Sequence, residues 1–267
     1  MAYIDLFLSK GFDFPKEDQK ILNRWYEEEK EREGWGLPKL LPFEKAMEYE
    51  DYCSQMFDDF PGGKAVILWE AENMSAIGGY YYTGLLKGTI FLYEHDEGMA
   101  FAPSFLSLER FYDYYQRIIQ DYSEDYDESD YDEADYEEEF WRNIDYNDNK
   151  PLTESETQRF HLAALELLKA WKAEDLPEEQ YETTGFCAVA VLPDCYAKEL
   201  IPYLKPVSAD EYVLEAICNK LVAARCVEAI DDMQRLWEKE QQGFRIGGWT
   251  SPRVAGAALE ELLKIKG

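Results

Sequence analysis

With 267 residues, 46% of them hydrophobic and 15% aromatic, the chain holds enough apolar material for one large domain or two ordinary ones. Its formal charge of -29, from 56 acidic against 27 basic residues, argues against nucleic acid and anionic membrane as partners and favours a cationic protein. There is no apolar run of about 18 residues, and Met1 to Lys20 has no basic stretch followed by an apolar core, so neither membrane insertion nor export is expected and the protein reads as cytoplasmic.

Ala2 to Phe14 is a short apolar lead. A helix begins at Asp13 or Phe14, because the following Pro15 suits the first helical position. Ile21, Leu22, Trp25 and the stem of Glu29 share one face of it, Lys20, Arg24, Glu27, Glu28 and Glu31 dress the other, and Gly34, Gly36 and Pro38 end it. Leu37 to Pro42 is extended, Glu44 to Phe57 forms a second helix, and Pro61-Gly62-Gly63 breaks the chain. The period then changes. Lys64 to Glu70, Ala76 to Thr83 and Thr89 to Tyr93 are compact apolar runs rich in β-branched and aromatic residues, which fit a pleated surface. Gly84 and Lys87-Gly88 supply one turn, and Asp96-Glu97-Gly98 supplies another before Met99 to Ala102. Ser104 is expected to cap a helix through Ile119, with Phe105, Leu108, Phe111, Tyr112, Tyr115 and Ile119 along one stripe. The expected fold is α+β: a small antiparallel sheet with helices on one side, followed by an all-helical C-terminal region.

One stretch of this segment is Gly79-Tyr80-Tyr81, then Gly88-Thr89-Ile90-Phe91-Leu92-Tyr93-Glu94-His95-Asp96-Glu97, then Ala102-Pro103-Ser104-Phe105-Leu106-Ser107-Leu108-Glu109-Arg110-Phe111. A glycine before a strand, a short His-Asp turn and a Ser-Phe start to the closing helix resemble the SUKH superfamily. That superfamily groups a fungal cell-wall-assembly regulator with many bacterial immunity proteins against secreted toxins. The resemblance covers roughly residues 64–120, and more loosely 15–120, and its residues build the fold instead of performing catalysis. It implies a stoichiometric, non-catalytic protein-binding inhibitor.

Asp121 to Asp148 is an acidic run punctuated by tyrosines, with Arg142 its one basic residue before Lys150. The tyrosines recur every five residues, a period that matches neither helix nor strand, so they line no face of a regular element. Mutual repulsion keeps such a run solvated. It reads either as a tether between two halves or as an interaction arm. In the arm reading, carboxylates meet a basic surface and tyrosines serve as amphipathic anchors. The candidate partner-binding residues are then Asp125, Tyr126, Asp127, Asp130, Tyr131, Asp132, Asp135, Tyr136 and Glu137. The expected organisation is a SUKH-like domain over 1–120, the acidic linker or arm over 121–150, and a helical domain over 151–267.

The second half is helical in pattern. Thr153 and Glu156 have capping-box spacing, and Phe160, Ala164, Leu167, Leu168 and Trp171 mark an apolar face. Pro177 opens a gap. Cys187 to Leu192 has the composition of a strand but is flanked by helical sequence, so a buried helical or mixed segment is expected. Lys198 to Leu204 and Asp210 to Asn219 are short amphipathic stretches, Lys220 to Gln241 continues as helix, and Ser251-Pro252 opens a last helix to Ile265. Paired helices with alanine contacts suit one or two HEAT-type repeats or a plain bundle.

The five cysteines, Cys53, Cys187, Cys195, Cys218 and Cys226, are expected to be buried thiols. Cys187/Cys195 and Cys218/Cys226 would each be separated by about 12 Å along one helix, too far for one ion or bridge. His95 lies in Glu94-His95-Asp96-Glu97, whose side chains alternate in direction along a strand and do not converge, and His161 falls beside an apolar stripe. Gly78-Gly79 and Gly247-Gly248 lack the pattern of a phosphate loop, and the acidic run lacks the glycine of an EF-hand. No catalytic, cofactor or metal site is expected. A scaffold or regulatory adaptor gripping partners through the helical half is the alternative to an inhibitor, and the oligomeric state stays open.

Overall fold

The structure, a computed structural model, describes residues 2–29, 39–70, 76–94, 101–125, 150–173, 176–205, 211–246 and 253–267. The chain divides into two units, Met1–Pro151 and Leu152–Gly267. The first unit carries an antiparallel sheet of five strands, β1 (Lys39–Leu40), β2 (Ala65–Glu70), β3 (Ala76–Tyr81), β4 (Ile90–Glu94) and β5 (Pro103–Phe105), paired in sequence order. Pairing aligns Trp69, Gly78 and Leu92 on one face and Ile67, Gly79 and Phe91 on the other.

Every residue of β2 and β3 is buried, which fits their unbroken apolar runs: alternation would mark a strand with one wet face. Helices α2 (Lys16–Glu29) and α4 (Leu108–Asp125) cover the first face, where the ring of Trp25 lies 5.4 Å from Trp69 and 5.2 Å from Phe111. Helix α3 (Phe43–Phe57) covers the second, where Phe57 lies 5.8 Å from Tyr81 and 6.0 Å from Phe91. The helices therefore flank both sides of the sheet, not one. A short helix α1 (Tyr3–Ser9) occupies the supposed lead; at seven residues it is too brief to show a period. Its Tyr3 hydroxyl donates to the Leu41 carbonyl at 2.9 Å, and Phe7 meets Phe43 edge-on.

Two expectations are corrected at the end of the sheet. Ser104 is not a helix cap: it sits inside β5, and its hydroxyl accepts from the Leu92 N–H at 3.3 Å. The cap is Ser107, which accepts from the Arg110 N–H, so α4 opens at Leu108. Two serines stand three residues apart before hydrophobic residues, and only strand pairing selects between them. The last strand accordingly lies at Pro103–Phe105, where the start of a helix was expected. Phe101 is a turn residue with φ of 55°, held by the Tyr81 hydroxyl, which donates to its carbonyl at 2.8 Å. At the opposite edge both Glu29 carboxylate oxygens accept from the Leu40 N–H at 3.0 Å, blocking a group that could pair with another strand.

Among its described residues the second unit is helical: α5 (Glu154–Trp171), α6 (Glu178–Val191), a 3-10 helix (Asp194–Tyr203), α7 (Glu211–Ala223), a short 3-10 turn (Val227–Ala229), α8 (Ile230–Gln241) and α9 (Val254–Lys266). Thr153 and Glu156 form the expected reciprocal capping box. Cys187 to Val191 is the end of α6, which packs against both α5 and α7 and is buried along most of its length. The helix expected from Lys220 to Gln241 is broken, because Arg225 takes a left-handed conformation (φ 55°) and turns the chain into Cys226. The last helix starts at Val254, later than expected; Ser251 and Pro252 lie outside the described residues. Glu240 closes the α8/α9 hairpin by accepting from the N–H groups of Ala255 and Gly256 at the α9 start.

Gly79 lies beneath the Phe91 ring; an added Cβ would fall 2.1 Å from Phe91 Cζ, and that ring is hemmed in by Phe57, Tyr81 and Phe101. Gly79→Ala is expected to cost about 1–3 kcal/mol. Urea unfolding checks this, with a lower midpoint at unchanged slope as the expected result.

Candidate functional site

Of the nine residues assigned to partner binding, Asp125 is the last residue of α4. Tyr126, Asp127, Asp130, Tyr131, Asp132, Asp135, Tyr136 and Glu137 lie outside the described residues, as does His95. The two ends of the run are nevertheless placed. One continues from the C-terminus of α4. At the other, the Arg110 guanidinium, in the first turn of the same helix and 7% exposed, donates to the carbonyls of Lys150 at 2.6 Å and Pro151 at 3.2 Å. The Lys150 ammonium sits 3.2 Å from Asp113 and 3.8 Å from Glu109, and these carboxylates raise its pKa. At ~1.5 Å per residue, Arg110 and Asp125 stand about 22 Å apart along α4. The run thus starts at one end of α4 and the chain after it is fastened to the other. Nothing in the sequence marks Arg110 for this task, because its acceptors are backbone carbonyls 40 and 41 positions on.

Between α2 and α4, Glu28 accepts from the Tyr112 hydroxyl at 2.7 Å and from the Gln116 amide at 3.0 Å, with the Arg24 guanidinium 5.6 Å above the Tyr112 ring. Burial first, and then the bond to Glu28, pushes the Tyr112 hydroxyl up to about 12. On the other face of the sheet Glu70, 6% exposed, is held by the Lys45 ammonium and by the Tyr49 hydroxyl at 2.7 Å. This buried carboxylate ties α3 to β2 and has its charge compensated.

The second unit has a polar-aromatic seam where α5 meets the 3-10 helix. His161 stacks on Tyr196 with ring centroids 3.6 Å apart and planes within 4°, and its Nε2 lies 2.8 Å from Glu199. Farther along, Trp171 packs against Tyr203 and Tyr181, both at 5.8 Å, and the Lys172 ammonium lies 3.6 Å over the Trp171 ring. His161 therefore packs, as its sequence position suggests, but against aromatic and acidic partners from a helix that sequence spacing does not bring near.

Cys187, Cys218 and Cys226 are buried, whereas Cys195 is exposed, which corrects the expectation for that residue. Cys218 lies 3.6 Å from the Met233 sulfur, and burial above all pushes its thiol up to about 12. Among the described residues, no group of three His, Cys, Asp or Glu could hold a metal ion, and no helix is long and apolar enough to cross a membrane.

Because Tyr112 titrates higher folded than unfolded, its contribution is full below about pH 10 and is lost as pH rises toward about 12. Tyr112→Phe should flatten that part of the stability–pH curve, as measured by urea midpoints. Arg110→Leu leaves two carbonyls without their charged donor and is expected to cost about 1.5–3 kcal/mol. Limited proteolysis should then cut sooner near Lys150.

Searches against family models, curated proteins and solved structures give no match to this chain.

Proposed function

We propose that this chain is a non-catalytic protein-binding module, an immunity protein that binds and occludes a basic, nuclease-type toxin in the cytoplasm. Charge placement carries the reading. Residues 121–150 hold 14 acidic and two basic side chains, a net -12 within the chain's -29. This charge sits in a segment whose two flanks belong to one helix, α4, through Asp125 and through the Arg110 bonds to Lys150 and Pro151. A toxin that cleaves nucleic acid presents a basic track for phosphates, and a carboxylate-rich segment competes for that track on electrostatic grounds. The tyrosines add apolar contact area with a polar tip. Long-range attraction speeds capture, which suits a partner that must be stopped before it acts. The resemblance of residues 64–120 to the SUKH superfamily supports the same reading.

A second reading is a scaffold or regulatory adaptor that uses the helical unit. One observation favours it: Leu162 and Leu165 on α5 are 57% and 37% exposed and stand three residues apart on one helix face.

The two separate in one experiment. The full chain is used to capture partners from its native lysate at low salt, and bound protein is eluted with a salt gradient. A basic nuclease that leaves at moderate salt, and whose activity the chain inhibits at one-to-one stoichiometry, is the expected result. Converting Asp125, Asp127, Asp130, Asp132, Asp135 and Glu137 to their amides should then lower the association rate at least about tenfold. Partners retained at high salt by that variant, and released by Leu162→Glu, would establish the adaptor instead.

A further inference from the structure

The end of α5 holds an arrangement that the acidic run does not involve. Trp171 is fully buried, and its indole edge rests on Gly185 of α6, where an added Cβ would lie 2.9 Å from Cε2 and 3.0 Å from Nε1. Tyr203 of the 3-10 helix stacks beside it and Tyr181 of α6 tilts against it. Glu199 is close enough to Tyr203 to raise the pKa of its hydroxyl, after the larger effect of burial. The remaining ring face is covered by a cation: the Lys172 ammonium is 3.6 Å from the Trp171 centroid and 5.7 Å from that of Tyr181, and donates to the Tyr181 hydroxyl at 3.2 Å. Lys172 is the residue that ends α5 and is exposed, so the cation enters the cluster from the solvent side.

We propose that Trp171, Tyr181 and Tyr203 form a binding site for an alkylammonium group, the side chain of a lysine on a partner protein, which Lys172 occupies from within. The Trp171 ring face and the Tyr181 hydroxyl hold the ammonium while Tyr203 stacks on the indole, and the group already seated there has the chemistry of the ligand. The resident contact is readily displaced. A cation–π contact at a partly exposed site is worth about 0.5–2 kcal/mol, and fixing a lysine side chain costs up to about 2 kcal/mol of rotamer entropy. The chain's charge of -29 raises the local concentration of competing cations. The site lies in the second unit and stands whether or not residues 121–150 engage a toxin.

The test is titration of the full chain with tetramethylammonium and with N-acetyl-lysine methylamide. The readout is the indole N–H resonance of Trp171, identified by its loss in Trp171→Phe. Lys172→Ala, whose helix-ending backbone bonds are untouched, should bind both probes roughly 2- to 30-fold more tightly than the parent chain. Tyr181→Leu in that background should reverse the gain, and because Tyr181 is only half-buried this variant serves if Trp171→Phe does not fold. Equal affinity in the parent and Lys172→Ala overturns the proposal, and so does a resonance that moves identically without Tyr181. Binding of tetramethylammonium without the lysine derivative overturns the lysine assignment.

Discussion

Burial of both faces of β2 and β3 is the constraint from which the first unit follows. Strands with no wet face need a helical layer on each side, and α2 with α4 supplies one while α3 supplies the other. Gly78 and Gly79 make this possible with large rings: they leave room for Trp69 and Leu92 above the sheet and for Phe91 below it. The two faces are thus filled by aromatic side chains from outside β3's centre. Each fully buried ring of this kind contributes about 1.5–3 kcal/mol relative to exposure. That payload offsets the self-repulsion expected of a chain carrying -29.

Charge plays two separate physical roles in the molecule. Several ion pairs among the described residues, such as Lys20–Glu17 and Lys264–Glu261, lie within one exposed helix and contribute little. Glu70 and Arg110 differ, because each is buried and each joins segments distant in sequence. Glu70 fastens α3 to the sheet, and Arg110 fastens the chain after the acidic run to the helix before it. Removing one side of such a contact leaves a buried charge or carbonyl uncompensated, so these two sites are more consequential than the many surface pairs. The acidic surplus, 56 acidic against 27 basic residues, exceeds what such pairs can neutralise.

In the second unit, local signals and tertiary contacts share control of the helices. The Thr153–Glu156 box starts α5 from four residues of local sequence. By contrast, α9 is started by a carboxylate from α8, and α6 keeps its valine-rich end helical between two neighbouring helices. Packing here overrides the β-preference of Val189 and Val191. The aromatic seam has the same origin: His161 and Trp171 on α5 find Tyr196, Glu199 and Tyr203 because the 3-10 helix returns alongside.

The sequence by itself determined the α+β class, the three central strand segments, the capping box and the concentration of charge in residues 121–150. These rest on period, composition and short-range chemistry, which do not depend on how elements meet. It did not decide which serine caps α4, on how many sides the sheet is covered, or where the helix after Lys220 breaks. Ser104 and Ser107 are locally equivalent until Leu92 pairs with β5, and Arg225 turns left-handed in a run whose apolar period continues through it. Nor could it show Arg110 or Glu70 as contact points, since their partners are backbone carbonyls or a neighbouring layer. Such partners carry no sequence spacing, and only the tertiary structure brings them within reach.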